Sequence, residues 1–258
     1  MTSADASPPS LTIDGTTATI EFCRPGQANR VAPGDLDVLH AHLSALERNV
    51  ALRVLVFRGR GRHFSAGYTI QALAGGEGRA SGGDGFERLV NRVEDLPLVT
   101  IAAINGGVYG GSTDLALACD FRIGVPRAEL LMPAARLGLH YYERGLHRFV
   151  SRLGLNHAKE LFLSACKIDA RRMLEIGYLT ELVELEQLDA RVSELAETVS
   201  ALAPLAVAGM KRALNEIARG ALDTDALRMR IAQSVASDDL REGVRAWQEK
   251  RPPRFSGR

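Results

Sequence analysis

The stretch AAINGGVYGGSTDLALACD, Ala102 to Asp120, sets four glycines (Gly106, Gly107, Gly110 and Gly111) and a single acid, Asp114, between two apolar runs. A glycine inside a regular element weakens it by roughly 0.5–1 kcal/mol relative to alanine, so such a cluster marks a left-handed turn or a place where a ligand meets the backbone. The run that leads into it, LVTIAAIN (Leu98–Asn105), is bounded by Pro97 and Gly106 and has the length and composition of a buried strand. The run that leaves it, STDLALACD, reads as the start of a helix. The unit is therefore strand, glycine loop, helix.

LRVLVFRG (Leu52–Gly59) is a second buried strand that ends at glycine, and another small-residue loop, FSAGYTI (Phe64–Ile70), follows it. LTIDGTTATIEF (Leu11–Phe22) reads as two short strands about Asp14-Gly15, a pair that tolerates positive φ and favours a hairpin. DLDVLHAHLSALERN (Asp35–Asn49) puts Leu36, Leu39, Leu43 and Leu46 on one helical face. Strands and helices alternating at this pace predict an α/β fold with a parallel sheet, whose ligand sits beyond the carboxyl ends of the strands. Both glycine loops follow such ends.

After Ala170 the pattern becomes almost wholly helical, through LDARVSELAETVSALA (188–203), AVAGMKRALNEIARGAL (206–222) and DALRMRIAQSVASDDLREGVRAWQEKR (225–251). The expected organisation is a disordered, Ser/Ala/Pro-rich residue 1–10 segment, a core over 11–200 and a helical region over 201–258. AGGEGRASGGDG (Ala74–Gly85) reads as a flexible loop.

The totals narrow the function. The chain has 258 residues, 46% of them apolar, enough for one substantial core. Lys and Arg (32) nearly balance Asp and Glu (31), so no global field would draw it to nucleic acid or to an anionic membrane. Cys23, Cys119 and Cys166 show no C-x-x-C spacing, which fits neither a disulfide framework nor a thiolate metal site. No run approaches the ~18 apolar residues of a membrane span and no signal-peptide pattern opens the chain, so a cytoplasmic protein is expected.

GGVYGGSTD matches neither the dinucleotide nor the P-loop glycine pattern, and it offers no lysine to a phosphate. Two loops of small residues at one sheet edge can instead each present a bare backbone N–H to one pocket, the second at a helix start whose dipole favours negative charge. Two such donors make an oxyanion hole, in which a single donor is typically worth ~2.7–4 kcal/mol to an enolate or tetrahedral intermediate.

These residues resemble the crotonase (enoyl-CoA hydratase/isomerase) superfamily. FSAGYTI is similar to its F-[SA]-A-G-A-D-[IL] loop, and AAINGGVYGGSTDLALACDFRIG to its A-A-[VI]-N-G-x-x-x-G-G-G-x-E-L-A-L-A-C-D-x-x-[IV]-A segment. RPGQANRV, ELFLSACKIDARRMLEIGYLTELV and SDDLREGVRAWQEKRPPRF match three further segments in the family's order. The resemblance implies a spiral of ββα units with a helical C-terminal region, assembled as a homotrimer or a dimer of trimers. It implies an acyl-CoA substrate, with CoA as part of the substrate rather than a resident cofactor, and no metal. The oxyanion hole would be the N–H groups of Tyr68 and Gly111, within loops formed by Ala66, Gly67 and Gly110. Arg24, Gln27, Ala28, His140 and Lys250 are the implied substrate and CoA contacts.

The chain also departs from that pattern. Hydratases of the family use two glutamates; here the first position is Asp114 and the second is Ala134. Losing one acid and shortening the other by a methylene removes the paired acid/base logic. GLHYYERGLH (Gly138–His147) resembles the V-P-Y-N-x-x-G-I-H loop of members that decarboxylate malonyl-type esters, which assigns Tyr141 to the functional tyrosine. Glu143 stands where a diketone-cleaving branch carries a carboxylate. Decarboxylation or isomerisation through an enolate is the leading expectation. A hydratase using Asp114 and Glu143, and a non-catalytic CoA- or RNA-binding scaffold, are the alternatives.

Overall fold

The computed structural model describes residues 7–69 and 82–258. Residues 1–6 of the segment expected to be disordered and most of the Ala74–Gly85 loop fall outside them, but Pro9 is buried, Ser10 already pairs with Glu21 and the chain is helical from Gly82, so both expectations end too late.

Strands β1 (Ser10–Asp14) and β2 (Thr17–Phe22) form the expected hairpin, with Asp14 opposite Thr17 and Gly15 at φ +55°. From β2 onward the main sheet is parallel: β3 (Val54–Gly59), β4 (Val99–Ile104), β6 (Phe121–Gly124) and β9 (Glu181–Leu182), in the order β1-β2-β3-β4-β6-β9. A smaller sheet joins β5 (Val108–Tyr109), β7 (Glu129–Leu131) and β8 (Lys167–Asp169), with β5 and β7 parallel.

Every residue of β4 is buried, as a central strand covered on both faces must be. The period of two divides its side chains between layers. Ala102 and Ile104, with Leu55 and Phe57 of β3, pack in the large core with Leu39 and Leu43 of helix α1 (Pro33–Arg48). Val99, Ile101 and Ala103, with Val54 and Val56, pack on the opposite face against Leu188, Val192 and Ala196 of the helix spanning Leu188–Ser200. The large core also receives α2 (Gly82–Asp95) and α3 (Gly111–Ala118), the helix that the opening stretch predicts.

Helices α4 (Glu143–Leu153), α5 (Leu155–Ser164) and α6 (Ala170–Glu175) come next, then α7 (Leu188–Ser200) and α8 (Pro204–Ala218). Two details depart from the sequence reading. The region after Ala170 is interrupted by β9, whose two residues are too few to show any periodicity. The last helical stretch is two helices, α9 (Thr224–Ala236) and α10 (Asp238–Glu249). The break falls at Ser237, whose hydroxyl accepts the Leu240 N–H at 3.1 Å and caps the second helix. No single helix among the described residues is long and apolar enough to cross a membrane.

Candidate active site

The two small-residue loops meet, backbone to backbone. Phe64 N–H donates to Gly107 O (3.0 Å) and Tyr109 N–H to Ser65 O (3.0 Å), so the first loop runs beside β5. On its other side Ala66 N–H donates to Ala28 O (2.7 Å), Val31 N–H to Gly67 O (2.8 Å) and Thr69 N–H to Val31 O (3.0 Å). This pattern leaves the Tyr68 N–H without an acceptor among the described residues. Gly111 is the first residue of α3, so its N–H has no intrahelical partner and finds no other one among the described residues.

Gly67 sits at φ +79°, and a Cβ there would lie 2.6 Å from Tyr109 O and 2.7 Å from Gly111 N. Only glycine allows the two donor-bearing loops to come this close. Three polar side chains that the sequence did not single out fix the approach. Asn29, buried, accepts Arg24 N–H (2.9 Å) and donates to the carbonyls of Arg60 (2.9 Å) and His63 (2.8 Å). The Ser65 hydroxyl donates to Asn29 O (2.8 Å) and accepts Gly67 N–H (3.1 Å), while Ser112 Oγ lies 2.6 Å from Ser65 O.

Tyr68, Gly110 and Gly111 line a cavity of about 370 Å³ together with Ala66. Its wall is mostly apolar, built from Phe86, Met132, Ala134, Leu137 and Leu139. The polar groups that reach it are the Tyr68, Tyr109, Tyr141 and Tyr142 side chains, His140 and Glu87. The buried hydroxyls of Tyr68 and Tyr141 make no well-formed hydrogen bond among the described residues, Tyr141 having only the Tyr142 phenol beside it, whereas Tyr109 donates to Glu129 at 2.5 Å. Burial, and then the nearby Asp114 charge, push the Tyr141 phenol well above its ordinary pKa, so it keeps its proton.

Asp114 is fully buried and is absent from the cavity wall. Its Oδ1 lies 2.6 Å from Nη1 of Arg148, itself wholly buried, and its Oδ2 accepts the Tyr142 hydroxyl. Arg148 continues to Glu94 (Nε–Oε1 3.0 Å) and to Asn91 (3.0 Å). Arg144 (2.8 Å), Arg219 (3.0 Å) and Arg152 (3.5 Å) also surround Glu94. Burial pushes the Glu94 carboxyl up, but Arg148, Arg152 and Arg144 outweigh that and hold it at about 2. The acid of the opening stretch thus belongs to a buried ionic network. The sequence did carry a signal for Arg148: it shares one stripe of α4 with the buried Gly145, Phe149 and Leu153.

The remaining expected site residues divide. His140 is exposed at the cavity, its Nδ1 2.8 Å from Tyr141 O. Ala28 is left-handed at φ +48° and anchors the first loop through its carbonyl, and Gln27 closes the preceding turn half-buried. Arg24 is gripped by both oxygens of the buried Asp35, one at 2.8 Å, so its charge is neutralised within the fold instead of being offered to a phosphate. Lys250 ends α10, exposed and away from the cavity wall. Glu143 is exposed at the first position of α4, makes no hydrogen bond or ion pair among the described residues and does not line the cavity. The structure therefore does not bring Asp114 and Glu143 together on the cavity as an acid/base pair.

Comparison with known proteins agrees with this architecture. The family described as Enoyl-CoA hydratase/isomerase matches residues 12–258. The chain is 30% identical over 247 residues to methylmalonyl-CoA decarboxylase of Escherichia coli, covering 93% of this chain and 94% of that protein. It is 30% identical over 260 residues to a probable enoyl-CoA hydratase of Bacillus subtilis, covering 96% and 98%. The crystal structure of an enoyl-CoA hydratase from Bacillus anthracis superposes with a TM-score of 0.91 at 28% identity, over 98% of this chain and all of that one. The match runs through both donor loops and the helical C-terminal region alike, and the chain belongs to the enoyl-CoA hydratase/isomerase family, within the crotonase superfamily of enzymes.

Proposed function

We propose that this enzyme decarboxylates a malonyl-type acyl-CoA, holding the thioester enolate on the N–H groups of Tyr68 and Gly111. Departure of carbon dioxide leaves its bonding electron pair in the enolate, so the step needs no strong base. Its barrier falls mainly through preorganised donors at the developing oxyanion. One observation carries the reading: Tyr141 lines the cavity, and its buried hydroxyl makes no well-formed hydrogen bond among the described residues, with only the Tyr142 phenol beside it. A buried donor left unpaired costs about 1–3 kcal/mol, which a substrate carboxylate would relieve by accepting its proton.

The acids that hydration requires are elsewhere. Asp114 is tied to Arg148, Ala134 has no carboxyl and Glu143 lies off the cavity. The similarity to a methylmalonyl-CoA decarboxylase supports the same choice. In this reading CoA enters as part of the substrate, and no resident cofactor or metal is required. The protomers assemble as a homotrimer or a dimer of trimers, and the enzyme works in the cytoplasm without a nucleic-acid or membrane partner. Double-bond isomerisation is the second reading, favoured by the Glu87 carboxylate on the cavity wall.

Incubation with methylmalonyl-, 3-enoyl- and crotonyl-CoA, followed by mass spectrometry of the thioesters, separates the reactions. Loss of carbon dioxide from the first is the expected result. Unchanged mass with a moved double bond in the second, or addition of water to the third as the fastest reaction, would replace the decarboxylase reading.

A further inference from the structure

One face of α2 carries Glu87, Asn91 and Glu94 at i, i+4 and i+7, and this row points along the buried network toward the cavity. Glu94 is saturated by arginines. Asn91 accepts Arg148 Nη2 at 3.0 Å and turns its own Nδ2 toward Glu87 Oε1 at 3.5 Å. Glu87, at the cavity end, is half-buried, lines the wall beside Phe86 and has no cation partner among the described residues. The Phe86 ring lies so close to Gly111 that a Cβ there would meet it at 2.7 Å, which puts α2 directly against one of the two N–H donors. Among the described residues Glu87 is the one carboxylate on the cavity wall.

We propose that Glu87 is a catalytic residue that carries the proton to and from the carbon next to the thioester. The proposal rests on the reading of the cavity as an acyl-thioester enolate site. In decarboxylation the bond between that carbon and the carboxylate breaks, carbon dioxide leaves and the electron pair forms the enolate. Protonated Glu87 then gives its proton to the carbon as the thioester carbonyl re-forms, and it recovers a proton from solvent, to which its half-exposed position gives access. On a saturated acyl thioester the same group runs in reverse: the Glu87 carboxylate takes the α-proton, the C–H pair enters the enolate and a solvent proton returns. Asp114 and the buried phenols are less suited to this role. Asp114 is walled in by Arg148 and Tyr142, and the buried phenols are held as hydrogen-bond donors by their raised pKa values.

The test is deuterium wash-in to the α-carbon of propionyl-CoA in heavy water, read by mass spectrometry, with carbon dioxide release from methylmalonyl-CoA measured alongside. Wild type should incorporate deuterium. Glu87→Gln should slow incorporation by about 10²-fold or more, the usual range for a general acid/base. Its melting temperature and its affinity for propionyl-CoA should stay unchanged, and Glu87→Asp should recover part of the rate. Glu143→Gln should stay within about twofold of wild type, as its exposed site predicts. Wild type that incorporates no deuterium, or Glu87→Gln that incorporates it at the wild-type rate, overturns the proposal. Carbon dioxide release without wash-in would keep the decarboxylase reading and remove Glu87. Wash-in that depends on Glu87 without carbon dioxide release would do the opposite.

Discussion

Tyr141 and Tyr142 are adjacent and stacked at 4.4 Å, yet their hydroxyls have opposite situations. Tyr142 donates to the buried Asp114, whereas the Tyr141 hydroxyl makes no well-formed hydrogen bond among the described residues and has only the Tyr142 phenol beside it. Tyr142→Phe should therefore lower stability by about 1.5–3 kcal/mol, the worth of a hydrogen bond to a charged group, as seen in chemical denaturation. Tyr141→Phe should leave stability unchanged or slightly raised, while carbon dioxide release falls ~10–100-fold through loss of a bond to the substrate carboxylate. If the two variants exchange these phenotypes, the assignment of Tyr141 to the substrate is wrong. Gly67→Ala tests the backbone donors themselves. Its methyl would crowd Gly111 N and Tyr109 O, and its φ of +79° is strained for alanine, so turnover should drop by ~10²-fold, as when one oxyanion donor is displaced. The glycine loops were legible in the sequence because backbone geometry restricts residue type. The pairing of Asp114 was not: the buried stripe of α4 marks Arg148, but an ion pair between helices α3 and α4 leaves no local pattern that says which acid it meets.

Among the elements, Glu94 is the point at which α2 holds α4 and α8. It takes Arg144 and Arg148 from α4 and Arg219 from just beyond α8, and its own carbonyl accepts Asn215 of α8 at 3.0 Å. Its carboxyl lies at about 2 in the folded protein, below the ordinary 4.5. As pH falls between those values the unfolded chain takes up the proton first. The stabilisation is thus complete above about 4.5 and is lost on going down to about 2. A shift of this size corresponds to about 3 kcal/mol. Denaturant unfolding at pH 7 and at pH 3 should show wild type losing most of that amount. Glu94→Gln should be less stable at pH 7 by about 3–5 kcal/mol, because it leaves buried arginines uncompensated, and its stability should vary less over the same interval. A wild type with equal stability at both pH values would remove Glu94 from this role. The individual helices were readable from apolar periodicity, but the charged staple between them was not, since glutamate and arginine on a helix normally signal a solvated face.

For the whole molecule, the sequence showed the parallel sheet and the two loops after β3 and β4 that line the cavity, because β3 and β4 are continuous apolar runs bounded by turn residues. It could not show β9 or the division of the last helical stretch, which depend on two residues and on one capping serine. The proposed assembly needs a surface for a second protomer. Met210, Leu214 and Ile217 form a row on α8 at i, i+4 and i+7, each more than half exposed, and Trp247 of α10 is 84% exposed. Single apolar residues at a surface are ordinary, but a row along a helix is the kind of face that the proposed assembly would cover. Burying a side chain of this size is worth about 1.5–3 kcal/mol, and a carboxylate placed there would have to be desolvated on association. Wild type should therefore sediment as a trimer or a multiple of it. Leu214→Glu should shift the population to single protomers without changing helical content, since Leu214 contributes nothing to the described cores. A wild type that sediments as a single protomer, or a Leu214→Glu variant with the sedimentation of wild type, would place the assembly surface elsewhere or remove it.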